Sequence, residues 1–238
     1  MAVPEVVVAE AAELAEHLAG SVERHAAAAI TARGRFAFVI PGGSAAEKLL
    51  PRLASAALDW TRTHIFYSDE RFVPRSDPAS SASASARLLF DALGARGPHV
   101  HPMVGSAREP DAAARDYAAT LTTVLGPAPV PDLALLGIGE DGHVASLFPA
   151  RGSVDDSSAM VLVEHDSPKP PPTRLTLSLP LLASARLVII AAFGAGKADP
   201  LHDVLRDPAC MLPAAKLLRH ASAVQFLLDP AAASRLGG

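Results

Sequence analysis

The chain has 238 residues, half of them hydrophobic and 19% charged, with a formal net charge of −4. It is long enough for one full core and too apolar for disorder, and it lacks the basic stripe expected of a nucleic-acid binder. The single cysteine, Cys210, has no disulfide partner and no second ligand at metal spacing, so it reads as a small hydrophobe. No run approaches the ~20 apolar residues of a membrane span, and the start has no signal-peptide pattern. A cytoplasmic location is expected.

An apolar run at 6–9 precedes an Ala-rich helix over 10–32, which Gly34 stops. Phe36-Ala-Phe-Val-Ile40 is continuously apolar, as in a strand buried on both faces of a parallel sheet. Pro41-Gly-Gly-Ser44 follows as a turn, with Ser44 placed to cap a helix over 45–57. A second strand over 63–67 runs into Ser68-Asp-Glu-Arg71, whose charges read as a loop. Helices are expected over 83–93 and over 111–125, the latter capped by Asp111. A third buried strand spans 133–137. The polar, Pro-rich segment 151–172 reads as a surface loop around a short strand at 160–164. Strands at 174–178 and 187–192 come next, then Phe193-Gly-Ala-Gly-Lys197, a helix to about 205, a short helix over 213–219 and a strand over 223–228.

Alternating strands and helices predict an α/β fold with a mostly parallel sheet and helices on both faces. There is no internal repeat and no long linker, so residues 1–238 read as a single domain.

Four buried strands each end in a loop that carries glycine or charge, and in a parallel sheet these loops meet at one edge. In the first loop, the backbone N–H groups of Gly42, Gly43 and Ser44 suit an anion, although an ordinary tight turn has the same composition. The second offers Arg71 as a fork for phosphate and Asp69 to orient a neighbour. The third is Gly137-Ile-Gly-Glu-Asp-Gly-His143. It matches a dinucleotide fingerprint as a string, but it lies mid-chain, and a nucleotide reading is rejected. His143 is the acid–base candidate, with Asp141 or Glu140 to orient its ring. The fourth carries Lys197, a phosphate donor or a solvated lysine. Arg174, Thr176 and Ser178 share one polar strand face. His99 and His101 flank a short apolar stretch, and His17, His25 and His220 read as helix-surface residues. No metal-ligand set emerges.

The run Leu136-Gly-Ile-Gly-Glu-Asp-Gly-His-Val-Ala-Ser-Leu-Phe-Pro149 resembles the signature of 6-phosphogluconolactonases. So do Trp60 followed by Tyr67-Ser-Asp-Glu-Arg-Phe-Val-Pro74, then Arg174-Leu-Thr-Leu177 and Gly194-Ala-Gly-Lys197. The order and spacing are similar from about residue 6 to residue 228. The resemblance implies a three-layer α/β/α Rossmann-like fold, shared with glucosamine-6-phosphate deaminases and ribose-5-phosphate isomerases. It implies hydrolysis of a small-molecule sugar-phosphate lactone, 6-phosphoglucono-δ-lactone, with no metal or organic cofactor. The family's general base falls on His143, beside Asp141. Its phosphate-binding positions fall on Gly43, Ser44, Arg71, Arg174 and Lys197. Nucleic-acid and membrane partners are not expected, and the expected assembly is a monomer or a weak homo-oligomer.

Two positions depart from the family pattern. Ala45-Ala46 stands where Thr-Pro is usual, and Ser80-Ser81 stands where an Asn is usual. The deaminases continue after their histidine with a Phe-Asn-Glu-Pro type of segment. Here Ser146-Leu-Phe-Pro149 follows, which favours the lactonases.

Overall fold

The computed structural model describes residues 4–106 and 108–237. Its centre is a parallel sheet of seven strands: β1 (Glu5–Val8), β2 (Phe36–Ile40), β3 (Thr63–Tyr67), β5 (His99–Val100), β6 (Leu133–Gly137), β9 (Val188–Ala192) and β10 (Val224–Leu228). Their order across the sheet is β1-β10-β9-β6-β2-β3-β5. Every residue of β2, β9 and β10 is buried. A strand with no exposed side needs cover on both faces, which is why these runs are apolar throughout rather than alternating. The cover comes from α1 (Ala11–Arg33), α2 (Gly43–Leu49), α3 (Ser81–Ser85), α4 (Asp91–Leu93), α5 (Pro110–Leu125), α6 (Leu179–Ala183), α7 (Ala198–Arg206) and α8 (Pro213–His220). The fold is α/β with flanking helices, as the alternation predicts. No helix among the described residues is long and apolar enough to cross a membrane.

Two buried polar groups fix the register of these layers. Asp132 accepts from the Ala37 N–H at 2.8 Å and from Arg33 at 2.6 Å, tying the end of α1 and the start of β2 to the start of β6. The Tyr117 hydroxyl of α5 accepts the Tyr67 N–H at 2.8 Å and so pins the end of β3. Gly34 ends α1 in the left-handed conformation, φ 75°, as expected of a glycine stop.

Several boundaries differ from the sequence expectation. The charged tripeptide Asp69-Glu-Arg71 is a strand, β4 (Asp69–Arg71). It heads a second, antiparallel sheet with β8 (Arg174–Leu177) and β7 (Val161–Glu164), in the order β4-β8-β7. Hydrophobic periodicity gives no signal for a strand whose every side chain is charged. The helix expected over 45–57 starts at Gly43 and passes after Leu49 into a 3-10 turn, Leu50–Ser55, where Pro51 has no N–H to continue the ladder. Gly42 stands at its N-cap, so Ser44 lies inside the first turn and caps nothing. Glu109, not Asp111, is at the N-cap of α5; Asp111 sits in the first turn, where its charge favours the helix N-terminus. The helix expected over 83–93 is broken by a π turn, Ala86–Phe90.

At the β3–β5 edge the rings of His64 and His101 stack 5.3 Å apart, and Nδ1 of the first lies 3.0 Å from Nε2 of the second. Burial, with the charges of His101, His99 and Arg35 beside it, lowers the His64 pKa to about 4. A histidine whose folded pKa is depressed is protonated more readily in the unfolded chain, so stability falls as pH drops from the unfolded value near 6.5 towards 4. Between pH 7.5 and pH 5 the melting temperature should therefore fall by about 3 °C or more. His64→Gln should flatten that slope. An unchanged slope in the variant would remove His64 as its source.

Candidate active site

Because β2, β6 and β9 are parallel neighbours, the loops at their carboxyl ends emerge at one edge. There they surround a cleft of about 190 Å³. Gly42, Gly43 and Ser44 reach it from β2, His143 from beyond β6, and Lys197 from beyond β9. The second sheet forms the opposite wall with Asp69, Arg71 and Arg174. The substrate-binding residues expected from sequence thus all line one cleft, together with His143. A larger hollow of about 530 Å³ between α5 and β7 is lined by the carboxylates of Asp111, Asp156, Glu164 and Asp166 against the single guanidinium of Arg115, a balance of the wrong sign for an anion.

Asp141 stands behind His143. Its carboxylate lies 2.5 Å from the ring Nδ1 and also accepts the His143 N–H at 3.3 Å. Glu140 turns instead towards Gly196, so of the two acids the sequence offers, Asp141 is the one that orients the ring. Burial raises the Asp141 pKa, but the hydrogen bond and charge of His143, with backbone N–H groups, outweigh it and hold the value at about 2. The glycines make this geometry possible. A Cβ on Gly139 would sit inside the His143 ring and the Asp141 carboxylate. Gly142 has φ 78°, and a Cβ there would come within 2.7 Å of Leu212. Phe148 closes the far side, its ring 4.6 Å from the imidazole.

The opposite wall is cationic. Arg71 and Arg174 are direct cross-strand partners in the β4–β8 pair, so both side chains leave the same face. Like charges so placed repel. Arg71 donates Nη1 to the Ala79 carbonyl at 2.9 Å. Its Nε is the one buried side-chain nitrogen or oxygen among the described residues with no hydrogen-bond partner. Arg174 is 5% exposed and donates Nε and Nη2 to the carbonyls of residues 169–171. Lys197 completes the set, its pKa lowered by burial and by Lys169, with Glu140 and Asp141 opposing.

Two acids of β4 hold the wall together without neutralising the cleft. Asp69 accepts from Ser68 at 2.8 Å and from Ser146 at 2.7 Å. Glu70, on the other strand face and 2% exposed, accepts the N–H groups of Arg71, Ser81 and Ala82 at 2.7–2.9 Å and the Ser80 hydroxyl at 3.1 Å. It thereby caps α3 from outside. Ser81, one of the departures from the family pattern, packs against Gly42: a Cβ there would lie 2.5 Å from its hydroxyl. Ala45 and Ala46 are buried inside α2, facing the core rather than the cleft.

Sequence reasoning missed Lys169, Ser68, Ser146 and Phe148. Lys169 lines the cleft from the segment that reads as a surface loop. Its position between prolines and five residues before Arg174 is the only local signal. Among the described residues no group of three His, Cys, Asp or Glu is placed to hold a metal ion.

The chain matches, over residues 9–226, the family described as glucosamine-6-phosphate isomerases/6-phosphogluconolactonase. A 6-phosphogluconolactonase of Mycobacterium tuberculosis is 37% identical over 220 residues, 88% of each chain. One of Rattus norvegicus is 37% identical over 232 residues, 94% of this chain and 90% of its own. The solved 6-phosphogluconolactonase of Trypanosoma brucei superposes with a TM-score of 0.84 at 29% identity, covering 98% of this chain and 99% of its own. The chain belongs to the glucosamine-6-phosphate isomerase and 6-phosphogluconolactonase family.

Proposed function

We propose that this protein hydrolyses 6-phospho-D-glucono-1,5-lactone to 6-phospho-D-gluconate, the second step of the oxidative pentose phosphate pathway, with a water activated by His143 and the phosphate held by arginine. The observation that carries the reading is the pairing, across one small cleft, of a His–Asp dyad with a wall of cations that keeps a buried Arg71 nitrogen unpartnered. Relatives named 6-phosphogluconolactonase support the choice of substrate.

A δ-lactone is an activated ester, so the task is to deliver water and stabilise a tetrahedral oxyanion. Asp141 holds Nδ1 of His143 and leaves Nε2 to take a proton from water as the oxygen attacks C1. The oxyanion needs N–H donors that are not already engaged. Gly142 is excluded, because its N–H is donated to the Gly139 carbonyl at 3.0 Å. The N–H groups of Gly43 and Ser44, in the first turn of α2, have no acceptor within the helix, and both residues line the cleft. When the intermediate collapses, the C1–O5 bond breaks and the departing alkoxide takes its proton from the His143 imidazolium. Arg71 and Lys197 hold the 6-phosphate away from the reacting carbon and fix the carbonyl against the dyad. α2 has only seven residues, so side-chain cations rather than a helix terminus supply most of the attraction.

The lactone should be generated in place from glucose 6-phosphate by a dehydrogenase and its loss followed against the spontaneous rate. The wild type should accelerate it strongly, and His143→Ala should lower kcat by about 10²–10⁴ with little change in KM. No acceleration by the wild type would overturn the reading and make glucosamine 6-phosphate deamination the next assay. Arg71→Ala should instead raise KM by about tenfold or more with kcat held within a few-fold; unchanged kinetics would take Arg71 out of the phosphate site.

Asp141→Asn should lower kcat by between about 10² and 10⁴ while leaving KM near its original value, because the amide no longer holds the ring in its working tautomer. With its pKa at about 2, Asp141 stays ionised through the whole acid range of the assay. An acid-side loss of activity that tracks an aspartate rather than an imidazole would contradict this assignment.

A further inference from the structure

The segment 167–172 folds back on itself into a compact turn. The Ser167 N–H donates to the Pro172 carbonyl at 2.9 Å. The Ser167 hydroxyl donates to the Lys169 carbonyl at 2.9 Å and accepts the Lys169 N–H at 3.2 Å. Pro168, Pro170, Pro171 and Pro172 bring carbonyls but no N–H groups, so the turn is short of internal donors. Arg174 makes up the deficit. Its Nη2 donates to the carbonyls of Lys169 at 3.0 Å and Pro170 at 3.3 Å, and its Nε donates to that of Pro171 at 3.3 Å. The ring of Phe148 lies 5.7 Å from its guanidinium carbon. A buried and permanently charged fork is therefore largely committed to holding one turn.

What that turn presents is Lys169. Its side chain is exposed and lines the cleft beside Lys197 and Arg71. Among the described residues no carboxylate lies within ion-pair distance of it. A lysine that is carried on a clamped turn into an already positive cleft adds repulsion unless an anion is present.

We infer that Lys169 contacts the phosphoryl group of the substrate, and that Arg174 is a positioning residue that acts through it by clamping the 167–172 turn. This inference rests on the lactonase reading given above. It divides the two arginines that face each other across β4 and β8: Arg71 reaches the anion, and Arg174 builds the wall that brings Lys169 to it.

The test combines steady-state kinetics on the phosphorylated lactone and on glucono-1,5-lactone with calorimetric titration of inorganic phosphate. Lys169→Met should raise KM for the phosphorylated lactone about tenfold, with kcat within about threefold, and weaken phosphate binding by a similar factor. The unphosphorylated lactone should be hydrolysed as by the wild type, and Lys169→Arg should restore most of the lost affinity. Arg174→Met should raise KM to the same extent and also speed amide hydrogen exchange at Ser167 and Lys169. The double variant should be no worse than Arg174→Met alone. If Arg174→Met does not fold, Arg174→Lys keeps the charge without the fork and should give the same exchange signature. Wild-type KM and phosphate affinity in Lys169→Met would overturn the role of Lys169. A double variant far worse than Arg174→Met, or exchange unchanged in both Arg174 variants, would overturn the positioning role of Arg174. If the wild type hydrolyses no lactone, the functional reading fails on its own, and the phosphate titration still decides Lys169.

Discussion

Two guanidinium groups held opposite each other across a pair of short strands set the terms for the cleft. Arg71 and Arg174 share one face of the β4–β8 pair, and neither can shed its charge. The chain tolerates this arrangement by surrounding the two with acceptors. Arg71 has the Ala79 carbonyl, and Arg174 has three consecutive carbonyls. Asp69 and Glu70 lower the local potential, but their oxygens are already engaged by hydroxyls and backbone N–H groups. These carboxylates therefore do not close over the arginines as ion pairs. Positive potential remains in the cleft, and a buried Arg71 nitrogen remains without an acceptor. The phosphate of the proposed substrate would complete this balance, and it would be worth more here than on an open surface because the groups it meets are already stripped of water.

The parallel sheet holds the His143–Asp141 pair apart from the cationic wall. His143 and Asp141 come from the end of β6, and the cations come from the second sheet and from beyond β9. The dyad is compact because Gly139 has no side chain. Its missing Cβ is the space that the imidazole and the carboxylate occupy. Leu212, just before α8, presses on Gly142 from behind and fixes the loop against the core. Two absent side chains and one apolar contact thus leave room for the hydrogen bonds that close the loop, from Asp141 to His143 and between the backbones of Gly139, Gly142 and His143.

What was legible in the sequence follows from this division. β2, β6 and β9 are continuous apolar runs, and a strand buried on both faces reads that way, so the sheet and its loop-bearing edge follow from the sequence alone. His143 stands out because glycines and acids crowd around it. β4 does not stand out, because each of its three residues is charged and its strand character comes only from pairing with β8, more than a hundred residues later. Lys169 is equally hidden. Its distance to the cleft is set by the fork of Arg174, and a proline-rich stretch reads as surface loop whether or not something clamps it. The choice between Asp141 and Glu140 needed coordinates, since both acids lie within three residues of the histidine and only the turn at Gly139–Gly142 decides which one faces the ring. Ser44 was misplaced as a cap for the converse reason: Gly42 and Gly43 let the helix begin two residues earlier than a cap at Ser44 would.

An architecture shared by isomerases and lactonases cannot by itself choose the reaction. The segment that follows His143 bears on that choice through its contacts. Ser146 donates its hydroxyl to Asp69 and its N–H to the Thr176 hydroxyl, joining the histidine loop to both strands of the cationic wall. Phe148 touches the His143 ring on one side and lies under the Arg174 guanidinium on the other. Ser146 and Phe148 therefore fix the distance between the His143 imidazole and the cationic wall. A sugar phosphate anchored at its 6-position presents a reacting carbon at a distance set by its own ring. A change in this connector would move the base relative to that carbon without altering either the fold or the anion site.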